Sequence, residues 1–316
     1  AAYADWLQRE DASDGRAGTL AYHYAEAVDP EIADLAWRDH DDEAARLRAS
    51  ALRWLRRAAE LALVRFDLDD ALGLLERAAE LRPDDPELWH SIAHVNALKF
   101  DGSAFWESMQ KTLELTAGEA ERGELYAELS FESTMRGAMW KVAPDWTLVS
   151  EWIGQALEHA PPDSRSYAYG LVGKSMLEDD IPTAERAIAI AERLDDVELL
   201  SFGLSAHAAV AQFTADFATA SELAQRRLGL VRRINDPDHL ALIHWDSATA
   251  ELALGHIQDA ELHALRHEAI AARLTPHHEV HALGNVLTLD ESAGRWDRLH
   301  ERVERTEQAV AANADT

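Results

Sequence analysis

Cysteine is absent from the 316 residues, which excludes disulfides and thiolate metal sites. Proline (9) and glycine (15) are scarce, so the chain has few interruptions to regular structure. No stretch approaches the roughly 18 consecutive apolar residues of a membrane span. Positive charge is short as well: 30 Lys and Arg face 58 Asp and Glu, a net charge of -28. Phosphate contacts require a basic surface, so no nucleic-acid partner is expected through this region. Lysine is nearly missing, with only Lys99, Lys111, Lys141 and Lys174. That Arg-for-Lys usage, with abundant Ala, matches a GC-rich bacterial genome. The first residues, Ala1 to Asp11, lack the basic start and apolar core of a secretory signal. The expected location is the cytoplasm, away from membranes. The opening enters mid-helix without Met and reads as a piece of a longer chain. What is present is apolar surface: 47% of residues, enough to offset chain entropy and fold.

Strand signals are nearly absent and helical spacing is everywhere. Trp54, Leu55, Ala58, Leu61 and Ala62 mark one face of a helix of period 3.6. An acidic turn at Asp67 to Asp70 follows, then a second helix that Pro83 ends. The second helix carries a small residue, an apolar residue four on and a small residue three further: Ala71, Leu75, Ala78. The same frame recurs in Ala184/Ile188/Ala191. It recurs loosely in Ala220/Ala224/Arg227, Ala260/Ala264/His267, Leu299/Val303/Thr306, Ala104/Ser108/Lys111 and Val149/Ile153/Ala156. The lead positions are 71, 104, 149, 184, 220, 260 and 299, spaced by 33, 45, 35, 36, 40 and 39 residues. Small residues let two antiparallel helices touch closely, and each pair leaves an apolar face for the next to cover. The spacing predicts an all-α, right-handed superhelical solenoid of about seven helix pairs over residues 46–316. Residues 1–45 fall outside the frame and are expected to form a helical cap or linker. A compact helical bundle is the competing arrangement.

Three motifs mimic chemistry. Ala168 to Ser175 (AYGLVGKS) fits a permissive phosphate-loop pattern, yet a turn precedes it where a strand is required. Its residues fall at helix-interior packing positions. The pairs His263/His267 and His277/His281 have i, i+4 spacing that suits zinc, although His278-Glu279-Val280-His281 is one residue short of the metalloprotease signature. The plainer reading puts these histidines in a solvated turn and on exposed helix faces. No nucleophile elbow occurs. No catalytic residue, metal or cofactor is therefore expected in this chain.

These residues resemble the tetratricopeptide repeat. Its pattern is a large residue, then apolar and small, then Ala, apolar, Ala and Pro. Leu55, Ala58, Ala59, Ala71, Leu75, Ala78 and Pro83 match it in order, and Trp89, Ile92 and Ala93 begin the next unit. Later units match more loosely, so the resemblance is to tetratricopeptide-like repeats over roughly residues 45–313. At the front, Leu20 to Ala27 (LAYHYAEA) and Trp54 to Glu60 (WLRRAAE) are similar to segments of large bacterial signalling ATPases. There an ATPase module, often with an adenylate/guanylate cyclase or helix-turn-helix domain, precedes a repeat tail. The resemblance implies a non-catalytic sensor or interaction region, partnered by another protein or by its own ATPase or cyclase module. Self-association is a further expectation, and a small molecule such as a sugar, or a peptide, is the alternative ligand.

Two regions are candidates for binding. The 45-residue spacing hides an insertion around Arg136 to Trp146, with Trp140, Lys141 and Trp146, and loops longer than a repeat needs often carry function. The resemblance also implies a concave wall lined by Glu87, His90, His94, Phe131, Tyr167, Lys174 and Trp245. The family's peptide-carboxylate clamp uses Lys, Asn and Arg at such places, and of these residues only Lys174 keeps that chemistry.

Overall fold

The computed structural model describes residues 1–10, 13–29, 37, 40–140 and 142–314. It is all helical among them. Among the described residues six helices precede residue 118: α1 (Ala2–Glu10), α2 (Ala17–Ala27), α3 (Asp41–Val64), α4 (Leu68–Leu81), α5 (Pro86–Leu98) and α6 (Gly102–Leu115). Ten follow: α7 (Glu119–Met135), α8 (Trp146–His159), α9 (Arg165–Glu178), α10 (Ile181–Leu194) and α11 (Val197–Phe213), then α12 (Phe217–Leu228), α13 (Pro237–Ala253), α14 (Ile257–Ala271), α15 (Pro276–Ser292) and α16 (Trp296–Ala314). The chain divides into two compact units, Ala1–Ala117 and Gly118–Thr316. Two helix pairs, α3/α4 and α5/α6, lie in the first unit. Five pairs, α7/α8 to α15/α16, lie in the second.

The starts of these helices follow from acidic and hydroxyl caps. Asp85, Asp101, Asp145, Ser164, Asp196, Asp216 and Asp236 each accept a backbone N–H of the following first turn. Each such cap stabilises its helix by about 1 kcal/mol and suits the positive end of the helix dipole. Part of the acidic excess is thus spent on starting helices.

The pairs are held as the spacing predicts. Ala71, Leu75 and Ala78 on α4 are buried, as are Ala184, Ile188 and Ala191 on α10. In unit 2 the first helices also touch one another, α7 with α9, α9 with α11, and α13 with α15. Glycine allows a close approach here: a Cβ on Gly173 of α9 would stand 3.2 Å from the Ser130 carbonyl oxygen of α7. The octet 168–175 lies wholly inside α9, so it has helix-interior geometry, not that of a phosphate loop.

In unit 1 the first two helices share a core with the repeats. Leu20, Ala21 and Tyr24 of α2 pack with Leu47, Leu55 and Ala58 of α3. Each leucine so buried contributes about 2 kcal/mol relative to exposure. The Tyr24 hydroxyl donates to Asp5 (2.8 Å), and Arg46 pairs with the same carboxylate (2.8 Å). Residue 45 is therefore where the repeat frame begins but not where a compact body ends. In unit 2 the long spacing between positions 104 and 149 is an insertion after α7. Among its described residues is a 3-10 turn, Gly137–Met139, with Met139 buried.

Candidate functional site

Unit 1 presents an open cleft of about 590 Å³ along α3, and Asp14, Leu52, Arg53, Arg56, Arg57 and Arg82 line it. The α3 residues recur at intervals of three and four, so one helix face aims them outward. Arg53 and Arg56 flank Leu55 as Glu87 and His90 flank Trp89 in the next unit. They are the inward positions of the family frame, one repeat earlier. Acids pair with the guanidinium groups, and two of these acids, Asp14 and Glu60, line the cleft themselves. Arg57 grips Asp14 (2.5 Å) and Glu60 (2.7 Å), and Arg56 holds Asp85 (2.5 Å) and Glu87 (3.3 Å). Arg53 donates to Gln8 (2.8 Å), its guanidinium carbon 5.2 Å from the Trp54 ring centroid. Four arginines line the cleft, and Asp14, Glu60, Asp85 and Glu87 pair with three of them.

Of the residues singled out in the sequence, Glu87 is exposed beside this cleft, His90 is half-buried and His94 is exposed on the same α5. The others lie in unit 2. Phe131 is core: its ring packs 4.4 Å from Tyr169 and 4.8 Å from Phe202, centroid to centroid. Tyr167 is half-buried with Arg186 of α10 over its ring at 5.0 Å. Lys174 lies 3.8 Å from Glu178. Trp140 is half-buried, Trp146 is 51% exposed and Trp245 is 37% exposed. Lys141 lies outside the described residues. The named positions thus divide between two bodies.

Unit 2 holds a second feature, a seam of buried charge. Arg136, just after α7, grips Glu132 (2.9 Å) and reaches Asp238 in the first turn of α13 (2.5 Å). The other Asp238 oxygen meets His278 Nε2 at 2.7 Å, and His278 Nδ1 meets the Thr275 hydroxyl at 2.7 Å. Next to Asp238, His239 stacks on Phe202 at 4.0 Å and contacts the Ser201 hydroxyl at 2.9 Å. The fully buried Arg227 donates to Ser201 (3.1 Å) and pairs with Asp246, which also accepts from Ser205 (2.7 Å). Farther along, His244 and His263 bring their Nδ1 atoms to 3.2 Å, and the His277 and His281 rings are 4.5 Å apart.

Burial sets the electrostatics of this seam. It pushes the Glu132 carboxyl up to about 7 against the pull of Arg136. Burial also pushes Asp238 upward, but Arg136 and the His278 hydrogen bond outweigh it and hold that carboxyl below its usual range. Burial lowers His239 and His277 to about 3 and His244 and His267 to about 4, with neighbouring cations and imidazoles adding to the shift. These rings are neutral at pH 7.

Three of these histidines, His263, His267 and His278, correct the expectation of a solvated turn and exposed faces, whereas His277 is half-buried and His281 is exposed as expected. His263, His267 and His278 are buried because α14 and α15 each lie between neighbouring helices. Among the described residues, no group of three or more His, Asp or Glu side chains is placed to hold a metal ion. No described helix is long and apolar enough to cross a membrane.

Sequence reasoning missed Arg53 and Arg56, although the frame marked their positions. It also missed Arg227, although the signal was present. Arg227 and His267 occupy the slot that Ala78 and Ala191 fill in tighter repeats, and a large polar residue in a small-residue slot is drawn into the interior. Arg136 and Asp238 lie 102 residues apart, beyond any local pattern.

No family model matches the chain, and no curated protein matches it. Among solved structures, PilW, a widely conserved type IV pilus biogenesis factor, is similar at 14% identity and a TM-score of 0.45. That match covers 69% of this chain and 92% of PilW. BtubC from P. vanneervenii is similar at 18% identity and a TM-score of 0.32, over 83% of this chain and 92% of that one. Likeness at this level carries no functional argument. The tetratricopeptide-like fold stands on the helix pairs and their buried small residues.

Proposed function

We propose that the chain is a non-catalytic protein-interaction region that captures an acidic segment of a partner in the arginine-lined cleft of α3. The observation that carries this reading is the cleft itself: four arginines around one open, partly apolar groove on a strongly acidic chain. Guanidinium groups match carboxylates in bidentate geometry, and the acids paired with Arg56 and Arg57 fix their positions. A cleft this open suits an extended segment better than an enclosed small molecule. The front-end resemblance supplies the setting: the interaction tail of a larger cytoplasmic bacterial signalling ATPase, with its own ATPase or cyclase module as the partner.

The test is fluorescence anisotropy with a labelled Glu-rich peptide and its Gln-rich counterpart. The Glu-rich peptide is expected to bind and the Gln-rich one to bind at least tenfold more weakly. Arg53→Glu with Arg56→Glu should remove binding, and raising salt should weaken it. Equal binding of both peptides, or an unaffected double variant, would defeat the reading.

A further inference from the structure

In each second helix of unit 2 the repeat frame places a packing residue four positions after the lead. It is Ile153 in α8, Ile188 in α10, Ala224 in α12 and Ala264 in α14, and all four are buried. The first helix of the following pair helps to cover them. A Cβ on Gly203 of α11 would stand 2.9 Å from Ile188 Cγ1, and Ala264 shares a core with Leu283 and Val286 of α15. In α16 the same position is Val303, and it is 38% exposed. Seven residues on, Ala271 of α14 is buried, whereas its counterpart Val310 in α16 is exposed. Trp296, seven residues before Val303, is exposed as well. The spacing lines the three up as one apolar stripe on the outer side of α16. The outer face of a terminal repeat is ordinarily polar.

We propose that this stripe is a docking surface for a basic amphipathic helix of a partner protein, which takes the place that a first helix takes on the earlier pairs of unit 2. The surface is separate from the cleft of α3, and its ligand carries the opposite charge. It stands on the geometry of α16 whether or not the cleft binds an acidic segment.

Charge selects the occupant. The arginines of α16 turn away from the stripe. Arg298 pairs with Glu261 (2.8 Å) and Arg305 with Glu268 (2.6 Å), both on α14, and Arg302 pairs with the buried Asp290 of α15 (3.1 Å). On the outer side Asp297, Glu304 and Glu307 are exposed, Glu307 one turn after Val303. His300, on the same side, donates from Nδ1 to the Trp296 carbonyl of its own helix (2.7 Å). The stripe is therefore apolar with an acidic flank. A second copy would set these carboxylates against their own kind, which costs binding energy. Lys or Arg beside the apolar face of a helix would meet them favourably.

The stripe also sets the length and pattern of the ligand. From Trp296 to Val310 it runs about 21 Å, at a rise of about 1.5 Å per residue. A helix of about four turns matches it, with apolar residues three and four apart on one face and basic residues beside them. Trp296 is the natural anchor, since a Trp at the centre of a contact carries much of the binding energy. The ion pairs from α16 to α14 and α15 hold the helix in place, so little ordering remains to be done on binding.

The test is fluorescence anisotropy of the full chain with a labelled amphipathic Leu/Lys peptide of about 18 residues. Two controls accompany it: a scrambled peptide of the same composition, and a Leu/Glu peptide of the same pattern. The Leu/Lys peptide is expected to bind at least about tenfold more tightly than either. Equal binding of the scrambled peptide would reduce the effect to net charge, and equal binding of the Leu/Glu peptide would remove the acidic flank from the argument; both overturn the proposal. Trp296→Ser with Val303→Ser, and separately Glu304→Lys with Glu307→Lys, should each weaken binding by about tenfold or more. A variant pair that melts with the parent and binds like the parent overturns it. If the first pair fails to fold, the second decides, since its side chains are exposed. Arg53→Glu with Arg56→Glu should leave this binding unchanged, and a loss there would move the site to the cleft. Sedimentation of the free chain completes the test. A dimer that the Trp296/Val303 pair abolishes would make a second copy the occupant and overturn the assignment.

Discussion

Glycine-to-alanine substitution at two nearby positions should move stability in opposite directions. On Gly123 of α7 a Cβ would stand 2.6 Å from the Ala160 backbone nitrogen and 2.7 Å from the His159 carbonyl carbon. Both neighbours are backbone, at the end of α8, so neither can swing aside. Relieving the overlap requires the α7/α8 crossing to open by about 1 Å, and overpacking of this kind costs about 1–3 kcal/mol. The intrinsic helix preference for Ala returns about 0.8–1 kcal/mol. Because the contact is backbone to backbone, the upper part of the cost range applies, and the net loss is about 1–2 kcal/mol. On Gly154 of α8 a Cβ meets nothing within 4 Å, so only the preference term acts and Gly154→Ala should gain about 0.8 kcal/mol. For a body the size of unit 2 each kcal/mol shifts the midpoint by roughly 2–4 °C. Thermal melts followed by circular dichroism should therefore show Gly123→Ala melting about 2–8 °C lower and Gly154→Ala slightly higher. Equal stability of Gly123→Ala and the parent would refute the claim that α7 and α8 are held by backbone contact at that glycine.

Arg227→Met should destabilise unit 2 by about 3–5 kcal/mol, because Asp246 is left buried with only the Ser205 hydroxyl to meet it. Adding Asp246→Asn to that variant should recover part of the loss; chemical denaturation of both variants checks the order. Asp101→Ala removes the acceptor for the Ala104 N–H (3.0 Å) at the start of α6. It should cost about 1 kcal/mol, seen as faster exchange in the first turn of α6 while α5 keeps its protection.

Most of the fold was legible because a repeat writes its packing rule many times. Each of the seven lead positions lies two or three residues inside an observed second helix, from Ala71 in α4 to Leu299 in α16. The extra residues at the 45-residue spacing fall after α7, where the insertion was expected. The phosphate-loop mimic resolved on context, since Tyr169 and Gly173 occupy repeat positions. The sites were less legible for three physical reasons. Arg53 and Arg56 lie on an inward face whose ligand chemistry shows only when the cleft beside it is seen. The histidine pairs looked exposed because i, i+4 spacing defines a face without saying what covers it. Arg136 and Asp238 meet across four stacked pairs of unit 2, which no local spacing encodes. Arg227 and His267 are the instructive cases. A looser match at a small-residue slot was a buried polar group, not a weaker repeat.

The most direct test of the account is a hydrogen-exchange footprint of the full chain at pH 7.5, with and without the Glu-rich peptide. The account predicts added protection on α3 around Arg53 to Arg57 and on the start of α5 at Glu87, with unit 2 unchanged. Protection confined to unit 2, or none at a peptide concentration that saturates anisotropy, would contradict it.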